Sequence, residues 1–219
     1  MFYAKTAIAL LAFVERLVDI EFIETGLCVR LDATNIIEPQ LCIITPISRD
    51  HSEHLGESLA EIAAEKAGIL KPGVPVVVGR QGPEALEVVL NTASSLDARV
   101  CLAGRDFYWE GDHADLSVVM GHERINDLSC PLAGRHQRDN FSQAIAASIK
   151  LREQGLPIND AAIRETSRSV SWPGRLEWWP CRQKILTDVS HNRAGINCLA
   201  DYLNDLQITK IHLVAGLSG

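Results

Sequence analysis

Three side chains in this sequence sit where α/β proteins do chemistry. Glu24 ends one β-prone run, His51 follows another, and Lys66 lies in the last turn of a helical pattern. Ligands of open α/β sheets bind at the carboxyl ends of the strands. A carboxylate and an imidazole facing one crevice there can hold a divalent cation, with substrate phosphates completing its shell. Asp50, beside His51, is suited to orient the imidazole. A second group comes later: Arg175, just after the Trp172-Pro173-Gly174 turn, then Asp188, His191 and Asn192. An arginine neutralises a transferring phosphoryl group, and an aspartate at a strand end accepts from a ribose hydroxyl. A third is the polar stretch Arg30 to Asn35, whose Asp32 and Asn35 suit turns. It reads equally as a plain connection or a ligand-binding loop. Spacing alone favours the plainer reading of Glu24, His51 and Lys66: a surface carboxylate, an exposed loop histidine and a lysine complementing a helix dipole. His54 has no partner at metal-ligand spacing and reads as solvated. Trp178 and Trp179 are adjacent, so they face opposite sides of a strand and read as packing. Residue chemistry by itself reaches a nucleotide-handling α/β protein.

The elements that must position these groups follow from periodicity. Residues 2–18 form a buried amphipathic helix, and residues 20–25 alternate as a strand. A strand over 40–45 leads into the His-bearing loop. A helix then starts at Ser58, with Glu61 completing a capping box, and stops at Gly68. Strands at 74–78 and 98–102 flank a helix over 83–95. This β-α-β-α-β rhythm predicts an α/β fold, a mainly parallel sheet flanked by helices on both faces. Short β-prone pieces from 107 to 124 predict a hairpin excursion at one sheet edge. Helices follow over 139–153 and, capped by Asn159, over 160–168. After a linker at 167–174, strands at 184–189 and 210–214 around a helix at 194–206 predict the start of a second parallel α/β unit. The division expected is a first domain over 1–170 and the beginning of a second over 171–219.

Composition narrows the class. The 219 residues are 47% hydrophobic and 22% charged, enough for one sizeable core and part of a second. A net charge of −7 without any long Lys/Arg run argues against a nucleic-acid partner. Six scattered cysteines with no C-x-x-C pair read as reduced thiols of a cytoplasmic protein. The apolar run at 7–14 is too short to span a bilayer, and Glu15-Arg16 stands where a signal peptide needs small residues. No membrane association is expected.

Taken together, the motifs resemble one family, the folylpolyglutamate synthase/dihydrofolate synthase branch of the Mur ligases. They run Glu24-Thr25-Gly26-Leu27, Arg30 to Asn35, Ile44-Thr45-Pro46-Ile47, Asp50-His51, Leu55-Gly56 and Ile62-Ala63, then Glu65-Lys66-Ala67-Gly68-Ile69. Gly134-Arg135-His136-Gln137 with Asn140, Trp172-Pro173-Gly174-Arg175-Leu176-Glu177 and Asp188-Val189-Ser190-His191-Asn192 follow in family order. The resemblance implies a Mur ligase central, ATP-binding domain and the beginning of the glutamate ligase domain. It implies an ATP- and Mg2+-dependent ligase, monomeric at full length, that joins L-glutamate to dihydropteroate or a folylpolyglutamate through an acyl phosphate. By position it implies Glu24 and His51 as magnesium ligands and Lys66 as a carbamylated lysine beside the metal. It assigns Asp32 and Ala33 to the pterin pocket, Asn140 and His191 to the base, Asp188 to the ribose and Arg175 to the phosphates. Lys66, His51 and Arg175 would be the catalytic group.

The sequence also departs from the family pattern. A glycine-rich phosphate loop ending in Gly-Lys-Ser/Thr is absent, and Gly73, Gly79 and Gly82 lack that ending. Cys28 and Val29 replace two glycines, which predicts a distorted loop or a narrowed pterin pocket. Ser190 stands where alanine is usual, and the family's last domain continues past position 219. The expectation is a ligase fragment, truncated at both ends and inactive alone. The alternatives are a decayed or repurposed non-enzymatic remnant, or a ligase of peptidoglycan precursors, against which the Arg30 to Asn35 stretch speaks. Residues alone do not separate dihydrofolate synthesis from polyglutamate extension.

Overall fold

The computed structural model describes residues 2–26, 29–49, 56 and 58–216. Cys28, Asp50, His51 and His54 lie outside the described residues. Three short parallel strands, β1 (Cys42–Ile44), β2 (Val76–Val78) and β3 (Val100–Leu102), pair in that order. All three β2 valines are buried, as expected of a parallel strand covered on both faces. Alternation divides them. Val76 and Val78 pack on one face against Ile62 and Ala63 of α2 (Leu59–Ala67) and Ala85 and Val89 of α3 (Pro83–Ser95). Val77 packs on the other with Ile145, Ala146 and Ile149 of α4 (Arg135–Glu153). Each fully buried valine or isoleucine contributes about 1.5–3 kcal/mol. Helices therefore lie on both faces, as the rhythm of the sequence predicts.

Local chemistry sets the helix ends. Ser58 Oγ accepts from the Glu61 amide while the Glu61 carboxylate accepts from the Ser58 amide, the expected capping box. Pro83 opens α3, where its missing N–H costs nothing. Lys150 and Arg152 close α4, where cations oppose the helix dipole favourably. Asn159 caps α5 (Asp160–Ser169) by accepting from the Ala162 amide.

The excursion after β3 is a three-stranded antiparallel sheet, β4 (Phe107–Gly111), β5 (Leu116–Met120) and β6 (Glu123–Leu128). Phe107, Leu116, Val118 and Ile125 are buried in the same core as α4. α5 packs on β6, and Arg164 donates to the Asn126 carbonyl at 2.9 Å.

Five expectations need correction. Residues 20–25 form no strand: no ladder partner lies beside them among the described residues, and alternation without a partner leaves Phe22 exposed. α1 (Phe2–Arg16) is helical but not buried, with Ile8 66% and Val14 67% exposed. Beyond residue 170 the ladder is antiparallel, β7 (Glu177–Trp179) with β8 (Ile185–Thr187), because the chain turns back tightly at 180–184. Residues 210–214 are irregular and α6 (Arg193–Asp205) precedes no paired strand. The linker is also shorter than expected, since α5 continues to Ser169.

Candidate nucleotide cavity

Three backbone turns converge at the start of α4. Gly134 precedes the helix with φ 92°, and a Cβ there would lie 2.7 Å from His136 Cε1 and 2.8 Å from Leu176 Cδ1. Only glycine meets both demands. The chain then projects His136, Gln137 and Asn140 from the first two turns of α4.

Opposite stands the turn carrying Arg175. Gly174 adopts φ 74°, its amide donates to Glu177 Oε2 at 2.8 Å, and its carbonyl accepts from the Val189 amide at 2.9 Å. Asp188 braces the same turn. Its Oδ2 accepts from the Leu176 amide at 2.9 Å, and its Oδ1 accepts from the Ser190 amide at 2.9 Å and from the Ser190 hydroxyl. The third wall is the start of α6, where Asn192 caps the helix by accepting from the Gly195 amide at 2.8 Å.

Between these walls lies a cavity of about 420 Å³. Asn140, Arg175, Asp188 and Ser190 supply its polar groups, with Leu132, Leu176 and Leu199 among its apolar ones. Its size and mixed lining suit a small organic ligand. Burial pushes the His136 imidazole below its ordinary 6.5; Asp188 opposes that, Arg175 adds to it and Asp139 opposes it. Burial at this wall therefore favours the neutral ring.

Of the residues singled out in the sequence, the structure brings Asn140, Arg175 and Asp188 to one cavity. His191 is exposed and outside the lining, its Nδ1 3.2 Å from the Val189 carbonyl. Sequence reasoning about chemistry passed over His136, Gln137 and Cys198, which also line the cavity. For the first two the signal was their place beside Asn140 at helical spacing.

The other group gathers at the carboxyl end of α2. Half-buried Lys66 lies in its last turn. The 29–36 segment is tied to that end: Arg30 pairs with Glu65 at 3.2 Å, Asn35 donates to the Gly68 carbonyl at 3.1 Å, and Lys71 donates to the Asn35 carbonyl at 2.7 Å. Asp32 caps a short 3₁₀ turn over Ala33–Ile36 by accepting from the Thr34 amide and hydroxyl, and it also accepts from the Gly26 amide. Burial tends to raise the Asp32 carboxyl, but these hydrogen bonds outweigh it and hold the group below its ordinary 3.8. Asp32 and Ala33 thus stand at the same junction as Lys66. Val29 is buried in the 3₁₀ turn Val29–Leu31. Of the pair expected to hold magnesium, the described member is a single exposed carboxylate, Glu24. Among the described residues no three metal-binding side chains cluster.

No family model matches the chain. A dihydrofolate synthase/folylpolyglutamate synthase of Bacillus subtilis is 36% identical over 209 residues, which cover 91% of this chain and 48% of that protein. A solved folylpolyglutamate synthase of Mycobacterium tuberculosis, complexed with ADP and AMPPCP, superposes with a TM-score of 0.85 at 34% identity, covering 93% of this chain and 48% of the other. A folylpolyglutamate synthase complex with AMPPCP and folate superposes with a TM-score of 0.86 at 33% identity, covering 92% and 50%. The chain spans about half the length of these relatives. Over the half that it shares with them, this chain is similar to the dihydrofolate synthase/folylpolyglutamate synthases.

Proposed function

We propose that these residues form the nucleotide-binding and folate-facing part of an ATP-dependent ligase that joins L-glutamate to dihydropteroate or a folate. The observation that carries the reading is the cavity at the start of α4, which gathers Asn140, Arg175 and Asp188. Solved relatives with AMPPCP, ADP and folate support it.

The chemistry divides between the two groups. At the cavity, Arg175 neutralises charge on the phosphates as the terminal phosphoryl group moves. Asp188 spends one lone pair of Oδ2 on the Leu176 amide and keeps another for a ribose hydroxyl. Asn140 faces the base. The substrate carboxylate attacks the terminal phosphorus, ADP leaves, and an acyl phosphate results. The amine of glutamate then attacks the acyl carbon, and phosphate leaves with the amide formed and one proton released. Asp32 and Ala33 hold the pterin at the α2 junction, and Lys66, as the carbamate, supplies a negative charge beside Mg2+. Glu24 and His51 would hold that ion, which when bound would screen charge between the phosphates.

Binding of AMPPCP to the purified chain, followed by NMR at millimolar nucleotide, tests the reading. Chemical shift changes should centre on 134–140, 174–176 and 188–199 and weaken at least tenfold with Arg175→Ala, since a charge-assisted contact is worth about 1.5–3 kcal/mol. Shift changes elsewhere, or none, would remove the basis for a nucleotide site.

A further inference from the structure

The cavity takes His136, Gln137 and Asn140 from the start of α4; Asp139, Ser142 and Gln143 line a separate notch, closed by Gly79 after β2 and Gly104 after β3. Beside that notch three arginines converge on one indole. Trp109 of β4 donates from Nε1 to Asp139 Oδ1 at 2.7 Å. The Arg138 guanidinium carbon lies 4.7 Å from the centre of its ring and that of Arg135 5.7 Å, both within cation–π range. Arg80 approaches the same carboxylate oxygen, its Nε 4.0 Å away. Gly104 makes room for it: its φ is 84°, and a Cβ there would lie 2.7 Å from Arg80 Nη1.

These charges are poorly balanced in a chain whose net charge is −7. Two carboxylates act on them, and both are engaged. Asp139 holds the indole, and Asp112, which feels the charge of Arg138, accepts from the amides of Ala114 and Asp115. Arg135 and Arg138 also stand in the first two turns of a helix with no acidic residue in its first turn, the end from which cations are repelled. Among the described residues, Arg138 Nε is the buried side-chain nitrogen that has no hydrogen-bond partner. A guanidinium that loses hydration without gaining a partner needs an explanation, and an anion on its outer nitrogens is one.

We propose that Arg80, Arg135 and Arg138 around Trp109 form a second oxyanion site, separate from the nucleotide cavity, for a ligand carrying more than one carboxylate or phosphate group. Stacking on an indole suits guanidinium groups to this task. The ring holds the plane of each while its edge N–H groups stay free to fork onto two oxygens. Arg135 is exposed and the Arg80 side chain 58% exposed, so an anion reaches both from solvent. The notch itself holds about 10 Å³, room for one water-sized group. An oxygen of the ligand fits there, and the rest of the ligand lies across the arginines outside.

The test is an NMR titration of the purified chain read at the Trp109 indole N–H, a signal identified by its loss in Trp109→Phe. The probes are tri-γ-glutamate, tripolyphosphate and, at matched ionic strength, sodium chloride. At least one polyanion should shift the signal saturably, and chloride should not. The polyanion that does so at the lower concentration names the source, a γ-glutamyl chain or a polyphosphate. Arg80→Gln and Arg138→Gln should each weaken binding about tenfold, the loss of one charge-assisted contact. Arg182→Gln removes the same charge from the exposed turn at 180–184 and should leave binding within about twofold. Arg80 is exposed enough for its variant to keep the fold, so the test stands even where Arg138→Gln does not fold. An equal response to chloride, or no saturable shift with either polyanion, would overturn the inference. So would an affinity unchanged in Arg80→Gln, or one lowered as much by Arg182→Gln. Neither result bears on the nucleotide cavity, which does not use these arginines.

Discussion

His136 is the residue at which site chemistry and stability meet. Its ring is half-buried against Gly134 and Leu176, and Asp188, Arg175 and Asp139 act on it. Because burial dominates, the folded chain takes up a proton at His136 less readily than the unfolded chain does. The unfolded state thus binds more protons as pH falls through 6.5, and stability falls with it until the folded ring also protonates. The contribution is complete above that window and lost below it. We expect the melting temperature of the unaltered chain to drop on acidification from about pH 7 to about pH 5, and that drop to shrink in His136→Asn. An equal slope in both proteins would show that other groups set the acid response. Nothing in the sequence revealed this behaviour. His136 sits in a recognisable motif, but the burial that lowers its pKa depends on Leu176, forty positions away. The same holds for Asp188. Its place after a β-prone run was legible, whereas its hydrogen bond to the Leu176 amide required the turn to fold back.

Elements were most legible where local chemistry determines them. The capping box at Ser58, Pro83 at the start of α3 and Asn159 at the start of α5 all act within three or four residues, and the structure realises each. Strands were less legible because a strand needs a partner. Residues 20–25 alternate well enough but pair with nothing described, while Trp178 and Trp179, read as packing on a strand, pair with β8. How α4 is fastened to the sheet was not legible at all. Gln143, 2% exposed, donates from Nε2 to the Ile44 carbonyl at 2.7 Å and approaches the Val77 carbonyl at 3.3 Å. One side chain thus ties the helix carrying the cavity residues to the end of β1 and the middle of β2. Gln143→Leu keeps the volume and removes both contacts, leaving buried carbonyls with fewer donors. The expected loss is about 1–3 kcal/mol, read as a lower urea midpoint at unchanged slope. A midpoint within error of the unaltered chain would mean that apolar packing of α4 suffices without the clamp.

For the whole molecule, a parallel sheet covered on both faces was legible from hydrophobic rhythm and short connections, while the excursion, expected as a hairpin at a sheet edge, is a separate three-stranded sheet. What covers α1 was not legible. Its apolar residues predict a face buried against a neighbour, yet Ile8, Leu11 and Val14 face solvent. Periodicity reports that a helix forms; it does not report its neighbours. The same gap bears on catalysis. Phosphoryl transfer relies on backbone N–H groups cradling the phosphates, a lysine near their outer oxygens and a hydroxyl on the magnesium ion. A loop of the Gly-Lys-Ser/Thr kind that supplies them is absent from these 219 residues. Arg175 provides one fixed positive charge at the cavity, and a single charge-assisted contact is worth about 1.5–3 kcal/mol. The rate enhancement of an enzyme needs roughly 8 kcal/mol or more. The purified chain is therefore expected to bind nucleotide weakly and to release no phosphate above background when given ATP, magnesium, glutamate and dihydropteroate or tetrahydrofolate. Substrate-dependent release that disappears in Lys66→Ala would overturn this expectation, and would mean that another segment of the chain cradles the phosphates.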